Sequence, residues 1–464
     1  MASLTIGSGE LVFSSRAGAL FGYQVLGLFV LVLTLKWALV FASATHWVNT
    51  ERHPFQRWVD LPGPRGWLPL TFFLLAMISF PVWVSFHAGT IGTLLASLTN
   101  TTGALRGTGA LGWAVVTLLL TMILSATGTY ARQEKLQTGI VALMLVTVLV
   151  SLVLLKPDVA ALLGGLLHLG PMHYPEWAAT MTEFADRPVW VEVATYAGVL
   201  GGGGYDYLAY VTWLREKHRD TQARRSADPC ACRELRRIIL LDCSLSFVAV
   251  LIFSVVFVAC GHIVLGSQHR VPGGADLLTL QAQFVGAGGA WLTPLYFAGA
   301  LLAMGGTLYG TIEVAPTILR EMVAAFGWQR LSADEPRVRA WAVRWCSFMG
   351  LGLLLATLAQ RWFNPSAAPV RFVVLLTPAN LFTGVLACGI ISLLNLWVEW
   401  RFVARGERLN LPLLALNAAG ATLFLGLGIK GSIDFSGWVG PAILTGTIGF
   451  GIGAASLLGR ARRR

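Results

Sequence analysis

The sequence predicts an all-α polytopic membrane protein, built as five plus five helices in inverted repeats with helices 1 and 6 discontinuous, plus two C-terminal helices. Three observations carry this prediction. Of 464 residues, 55% are hydrophobic and 12% charged, and apolar runs of about 20 residues, each able to cross a hydrocarbon core of about 30 Å, recur along the whole length. Lys and Arg crowd into alternate loops between those runs. A glycine-rich break followed by one carboxylate stands at corresponding places of two halves, Ile6-Gly7-Ser8-Gly9-Glu10 and Gly201-Gly202-Gly203-Gly204-Tyr205-Asp206.

Taken in order, the chain opens on the first break. Only six residues precede Gly7, so the half-helix leading into it is expected to be absent or strongly shortened. A helix continues from Leu11 to about Gly22, where Gly22-Tyr23 reads as a turn into a second span over about 24–46. The polar loop Leu61-Pro62-Gly63-Pro64 ends that run, because proline and glycine punctuate helices. Spans three to five are expected at about 67–96, 108–129 and 136–155, followed by a Gly-, Pro- and His-rich segment over about 157–187. Span six starts near Pro188, breaks at Gly201 to Gly204 and resumes to about Leu214. Spans seven to ten fall at about 238–266, 291–319, 338–360 and 371–398, and two more at about 411–429 and 436–458. This is one domain, 1–464, with repeat one over about 1–156, repeat two over about 187–400 and the extra helices over about 409–459.

Charge tests the count. The loop 215–237 alone holds eight Lys or Arg, and placing it in the cytosol fixes every other loop by alternation. Cytosolic segments then hold 25 Lys and Arg against 7 on the opposite side. That bias predicts a multi-pass protein of the inner (plasma) membrane with a cytosolic C-terminus. It also explains the net charge of +11 without a nucleic-acid partner. Because each repeat contains an odd number of spans, the two must have opposite orientation, the arrangement in which a ligand sits between two broken helices.

Glu10 and Asp206 are the central pair. A carboxylate at mid-bilayer is costly unless it meets a partner or a watery cavity, so a cation or protons must neutralise a site where both converge. Freed carbonyls at the breaks would add oxygen ligands suited to hard or borderline divalent ions. The alternatives are structural: Glu10 capping a helix start, since acids favour a first turn, and Asp206 pairing with a nearby base such as Arg16. His87, inside span three beyond Pro81, and Glu313 in span eight are candidates for a proton pathway. Arg339 and Arg344 open span nine and could pair with an inward acid. Asn380, beside a Pro378 break in span ten, could lend an amide oxygen to the site. No nucleophile with a base nearby and no soluble catalytic domain is visible, so the expectation is that the protein is not an enzyme.

The run from Ile6 to Tyr23, IGSGELVFSSRAGALFGY, resembles the first-helix signature of the Nramp family of proton-coupled divalent-metal transporters, and more closely a divergent bacterial branch of it. The run from Gly201 to Lys217, GGGGYDYLAYVTWLREK, is similar to the sixth helix of that branch, with Asp206 in the place of its acid. Carried over, the family's metal-binding Asp falls on Gly7 and its Asn on Glu10. The alanine whose carbonyl contacts metal falls on Gly202, the selectivity-giving Met on Tyr205, and the neighbouring His on Tyr207. The resemblance thus implies metal contacts from Glu10, Asp206, Gly7, Gly202 and Tyr205, to which the residue reading adds Asn380, and it implies a secondary transporter of Mn²⁺, Mg²⁺ or Fe²⁺, coupled to protons. Loss of the thioether leaves transition-metal preference open. The expected partners are the divalent cation and the lipid bilayer, the expected state is a monomer, and no permanently bound cofactor is expected. The alternative is an amino-acid or organic-cation carrier of the same architecture, since a fold does not dictate its cargo.

Overall fold

The structure is a computed structural model, in which residues 7, 9–126, 130–218, 229–273, 276, 278–289, 291–327, 335–364 and 372–461 are described. The residues before Gly7, and with them the expectation of a shortened first half-helix, lie outside the described residues.

Among the described residues, the longer helical segments follow the predicted order of twelve, with short helices such as Val159–Leu166 between them. The first, α1, begins as a π-helical turn over Gly9–Ser14 and runs on through Ser15–Phe21. Next come α2 (Val25–Thr50), α3 (Trp67–Leu98), α4 (Gly109–Ala126) and α5 (Tyr130–Leu154). The sixth is two half-helices, α6a (Val189–Val199) and α6b (Gly204–Lys217). The rest are α7 (Pro229–Cys260), α8 (Leu292–Phe326), α9 (Glu335–Phe363), α10 (Phe372–Phe402), α11 (Leu411–Ser436) and α12 (Val439–Ala461). Among the described residues eight helical stretches are long and apolar enough to cross a membrane. Their outward faces carry bare Leu, Ile and Phe, for instance Ile78, Leu245, Phe348 and Phe450, as lipid contact requires. The chain is a multi-pass helical membrane protein.

Several helix contacts, though not those of α6 with α8 and α10, follow an exchange rule: the pairs map onto other pairs in contact when five is added to, or subtracted from, each number, α1 with α7 and α6 with α2, α3 with α4 and α8 with α9, α3 with α10 and α8 with α5, α2 with α10 and α7 with α5. The pairs α3 with α8 and α2 with α7 map onto themselves. Two five-helix units related in this way, each with an odd number of spans, must run in opposite directions through the bilayer. Outside the repeats, α11 covers α10, α2 and α6a, while α12 lies on α3 and α11.

Proline acts differently from expectation in α10. Pro378 does not interrupt the helix; a π-helical stretch, Leu381–Leu386, follows it and continues directly into Ala387–Phe402. Proline lacks an amide hydrogen and clashes one turn back, and a wider turn absorbs the misfit without ending the helix. This widened stretch packs on α6a and α6b beside the break. In α3, Pro81 likewise stays inside an unbroken helix.

Candidate functional site

The break in α6 is made by backbone conformation. Gly201 and Gly202 take φ of 70° and 91°, in the left-handed region where a β-carbon would crowd the following carbonyl. The chain therefore leaves α6a at Val199 and re-enters helix at Gly204. The starts of α1 and α6b use one device. The Gly203 amide donates to Asp206 Oδ2 at 2.7 Å, and the Gly7 amide donates to Glu10 Oε2 at 2.9 Å. In each a glycine N–H meets the carboxylate three residues on, at a helix start where amides lack helical partners and negative charge is favoured. Glu10 does one thing more: its Oε1 accepts from the Gly201 amide at 3.4 Å, tying the first break to the second. The Gly201 and Gly203 donors are no more than about 7 Å apart along the chain, so the two carboxylates cap amides of the same glycine turn.

The carbonyls of the break are already engaged. Lys36 of α2, completely buried, donates from Nζ to the carbonyl oxygens of Gly198 (2.9 Å), Leu200 (2.8 Å) and Gly202 (2.7 Å). An ammonium has three hydrogens to donate and no acceptor, so these bonds saturate it. Its charge acts on both Glu10 and Asp206. The Tyr207 hydroxyl donates to the Gly201 carbonyl at 2.8 Å and lies 3.1 Å from that of Gly202.

Beside the break lies a cavity of about 60 Å³ whose lining includes Gly7, Phe80, Trp83, His87, Gly202, Tyr205, Asp206, Thr307, Thr311 and Thr383. That is room for a few water molecules. Asp206 reaches it, whereas Glu10 is wholly buried behind it. His87 packs its ring against Trp83 and Phe86, and its Nδ1 has no hydrogen-bond partner among the described residues. Tyr205 sends its hydroxyl to the Phe72 carbonyl at 2.5 Å, with its ring among Phe72, Phe80 and Phe382. Thr307 and Thr311 donate to carbonyls one turn back in α8, which leaves hydroxyl lone pairs free to accept.

Of the residues singled out from sequence, Gly7, Gly202, Tyr205, Asp206 and His87 line this one cavity. Three others do not line it: Glu10, whose two oxygens are taken by the Gly7 and Gly201 amides, Asn380 and Glu313. Asn380 ties α10 to α6a, donating from Nδ2 to the Thr195 carbonyl at 3.0 Å, and its oxygen lies against Gly198 and Gly384, where an added β-carbon would collide with it. Glu313 accepts from Arg339 at 2.6 Å and from Ser125 at 2.8 Å, beside a separate cavity of about 130 Å³ that also meets Glu216, Arg320 and Glu335. Among the described residues no three His, Cys, Asp or Glu side chains gather as a metal site.

The suggestion that Arg16 partners Asp206 is corrected by the structure. Arg16 instead donates from Nε and Nη2 to Glu192 Oε1 (2.9 and 2.5 Å), from Nη2 to Glu183 (2.6 Å) and from Nη1 to the Pro272 carbonyl (2.6 Å). Arg187 adds a second cation 3.5 Å from Glu192. This buried network ties α1 to α6a and to the segments on either side. A second network lies beyond α6b, where Glu321 of α8 accepts from Arg215 (2.5 Å), Thr212 (3.0 Å) and Gln56 (3.1 Å). Sequence reasoning missed the roles of Lys36 and Glu192. The signal was present, since each is an ionisable residue inside an apolar span, but charge alone names no partner.

No family model matches the chain, and no curated protein matches it in sequence. Solved structures do match. The chain is similar to the manganese transporter of Eremococcus coleocola bound to an aromatic bis-isothiourea substituted compound, with a TM-score of 0.66 and 14% identity over 98% of this chain and 92% of that one. It is also similar to MhsT in complex with L-phenylalanine, with a TM-score of 0.54 and 13% identity over 96% of both chains. At such identities the likeness shows the fold alone, and that fold is a helical membrane fold of Nramp type.

Proposed function

We propose that the chain is a secondary active transporter that carries a divalent metal cation, Mn²⁺, Mg²⁺ or Fe²⁺, through the cavity at the crossing of the two breaks, with protons as the coupled ion. The observation that carries this reading is that Asp206 lines a cavity only a few waters in size beside the α6 break, with Gly7 and Gly9 from the start of the chain on the same lining. Its free carboxylate oxygen, with the hydroxyls of Thr307 and Thr311, makes an all-oxygen surface of the kind hard divalent cations prefer. Tyr205 offers no thioether, and its hydroxyl is committed to Phe72. Hard cations and Mn²⁺ are therefore favoured over softer ones. His87, with an unpartnered ring nitrogen at the same cavity, is the group placed to exchange protons with the site.

In this reading the two ends of α6 are the moving parts. The Arg16–Glu192–Glu183 network holds α6a on one side, which loop charge places outside the cell, and the Glu321–Arg215 network holds α6b on the cytosolic side. Alternate release of the two would open the cavity to one face and then the other. The membrane is the inner (plasma) membrane and the C-terminus is cytosolic.

A second reading, transport of an amino acid, draws on the likeness to MhsT, whose solved structure holds L-phenylalanine, and on the aromatic walls Phe80, Trp83 and Tyr205. The small volume weighs against it. Flux into proteoliposomes of Mn²⁺, Mg²⁺ and Ca²⁺, with and without a pH gradient, tests the first reading, and radiolabelled amino acids in the same vesicles test the second. Metal flux that Asp206→Asn abolishes supports the proposal; amino-acid flux with no metal flux replaces it.

A further inference from the structure

Three backbone carbonyls turned out of helix inside a bilayer normally need either hydrogen-bond donors or a cation. Here the oxygens of Gly198, Leu200 and Gly202 converge on one point, and the occupant of that point is the Lys36 ammonium, at 2.9, 2.8 and 2.7 Å. On the same glycine turn two carboxylates accept amides, Glu10 from Gly201 and Asp206 from Gly203, and the Tyr207 hydroxyl reaches the carbonyls of Gly201 and Gly202, the second of which it shares with Lys36. Convergent carbonyl oxygens with carboxylates close by are the surroundings of an alkali cation, and carbonyl rings are how proteins replace the hydration shell of K⁺. An ammonium group resembles K⁺ in charge and size. Lys36 arrives from α2, a different helix from the one whose carbonyls it holds, so it fills the position as a bound ion would.

We propose that Lys36 is a tethered cation occupying a carbonyl-lined site for a monovalent ion in the α6 break. The protein consequently keeps its fold without a bound alkali ion, and shortening Lys36 turns the position into a working site for Na⁺ or K⁺. The inference concerns the same site as the proposed transport function but does not depend on the cargo, and its readout is stability, so the two can fail separately.

The test is thermal unfolding of the purified full chain in detergent, with choline chloride, NaCl or KCl at matched ionic strength, for the wild type, Lys36→Ala and Lys36→Met. The wild type is expected to show the same Tm in all three salts. Lys36→Ala is expected to melt several degrees lower in choline chloride and to recover most of that loss, saturably, as Na⁺ or K⁺ is added. Lys36→Met, which fills the space without charge, is expected to melt low in every salt. The inference is overturned if Lys36→Ala falls equally in all three salts, if Lys36→Met keeps the wild-type Tm, or if the wild type itself gains stability saturably from an alkali ion. Failure to recover folded Lys36→Ala from cells, where K⁺ is abundant, also overturns it. A wild type that carries no metal yet shows the expected salt behaviour would retain this inference and remove the cargo assignment.

Discussion

The two carboxylates that look alike in sequence should behave differently when neutralised. Glu10 accepts one amide on each oxygen, Gly7 at 2.9 Å and Gly201 at 3.4 Å, with no exposure. In Glu10→Gln one oxygen becomes an NH₂ that cannot accept, so one buried glycine N–H is orphaned and the other bond loses its charge assistance. Together these cost about 2–4 kcal/mol. Asp206 accepts one amide, from Gly203 at 2.7 Å, and lines the cavity. Asp206→Asn can keep that amide bond with its remaining oxygen, so it should cost only about 1 kcal/mol while removing the negative charge that faces the cargo. Unfolding in detergent should therefore show a clear drop in Tm for Glu10→Gln and little for Asp206→Asn. Uptake normalised to folded protein should fall at least tenfold for Asp206→Asn, the loss of about 1.4 kcal/mol of binding. Equal Tm losses would refute the division of roles, and undiminished uptake in Asp206→Asn would refute the placement of the cargo.

Three further outcomes follow from the geometry. Glu192→Gln removes the buried carboxylate that Arg16 and Arg187 share, leaving Arg16 with Glu183 and the Pro272 carbonyl, which should cost about 3 kcal/mol and show as a clear fall in Tm. Gly202→Ala forces a β-carbon into φ of 91°, a strain of about 1–2 kcal/mol, and should weaken uptake as well as stability because the same turn positions Asp206. His87→Gln fills nearly the same space and, if His87 exchanges protons with the cavity, should leave Tm close to the wild type while removing the effect of a pH gradient on uptake; an unchanged gradient response would take His87 out of the pathway.

Most of the architecture was legible because the bilayer simplifies the reading. In hydrocarbon every backbone group must be satisfied within a helix, so apolar runs of about 20 residues mark the spans. The glycine run at Gly201 to Gly204 marks where the sixth span comes apart. Even the cap was readable: an acid three residues beyond a glycine at a helix start is a local relation, and Glu10 and Asp206 both realise it. Pro378 was misread because a proline announces a backbone misfit without saying whether the chain answers it with a break or with a wider π-helical turn.

What the sequence could determine by itself is what depends on neighbours along the chain or on the solvent: the spans, the breaks, and the acid that caps each. Which groups meet across those breaks was decided only in three dimensions. Lys36 lies 162 residues from Gly198 and Arg16 lies 176 from Glu192. An intramembrane charge announces that a partner exists, since none can be left bare in oil. It does not say who that partner is, because the choice is made by the way two five-helix units pack against each other. That packing gave the freed carbonyls of α6 to a lysine from α2, left Glu10 to join the two breaks, and turned Asp206 alone toward the cavity.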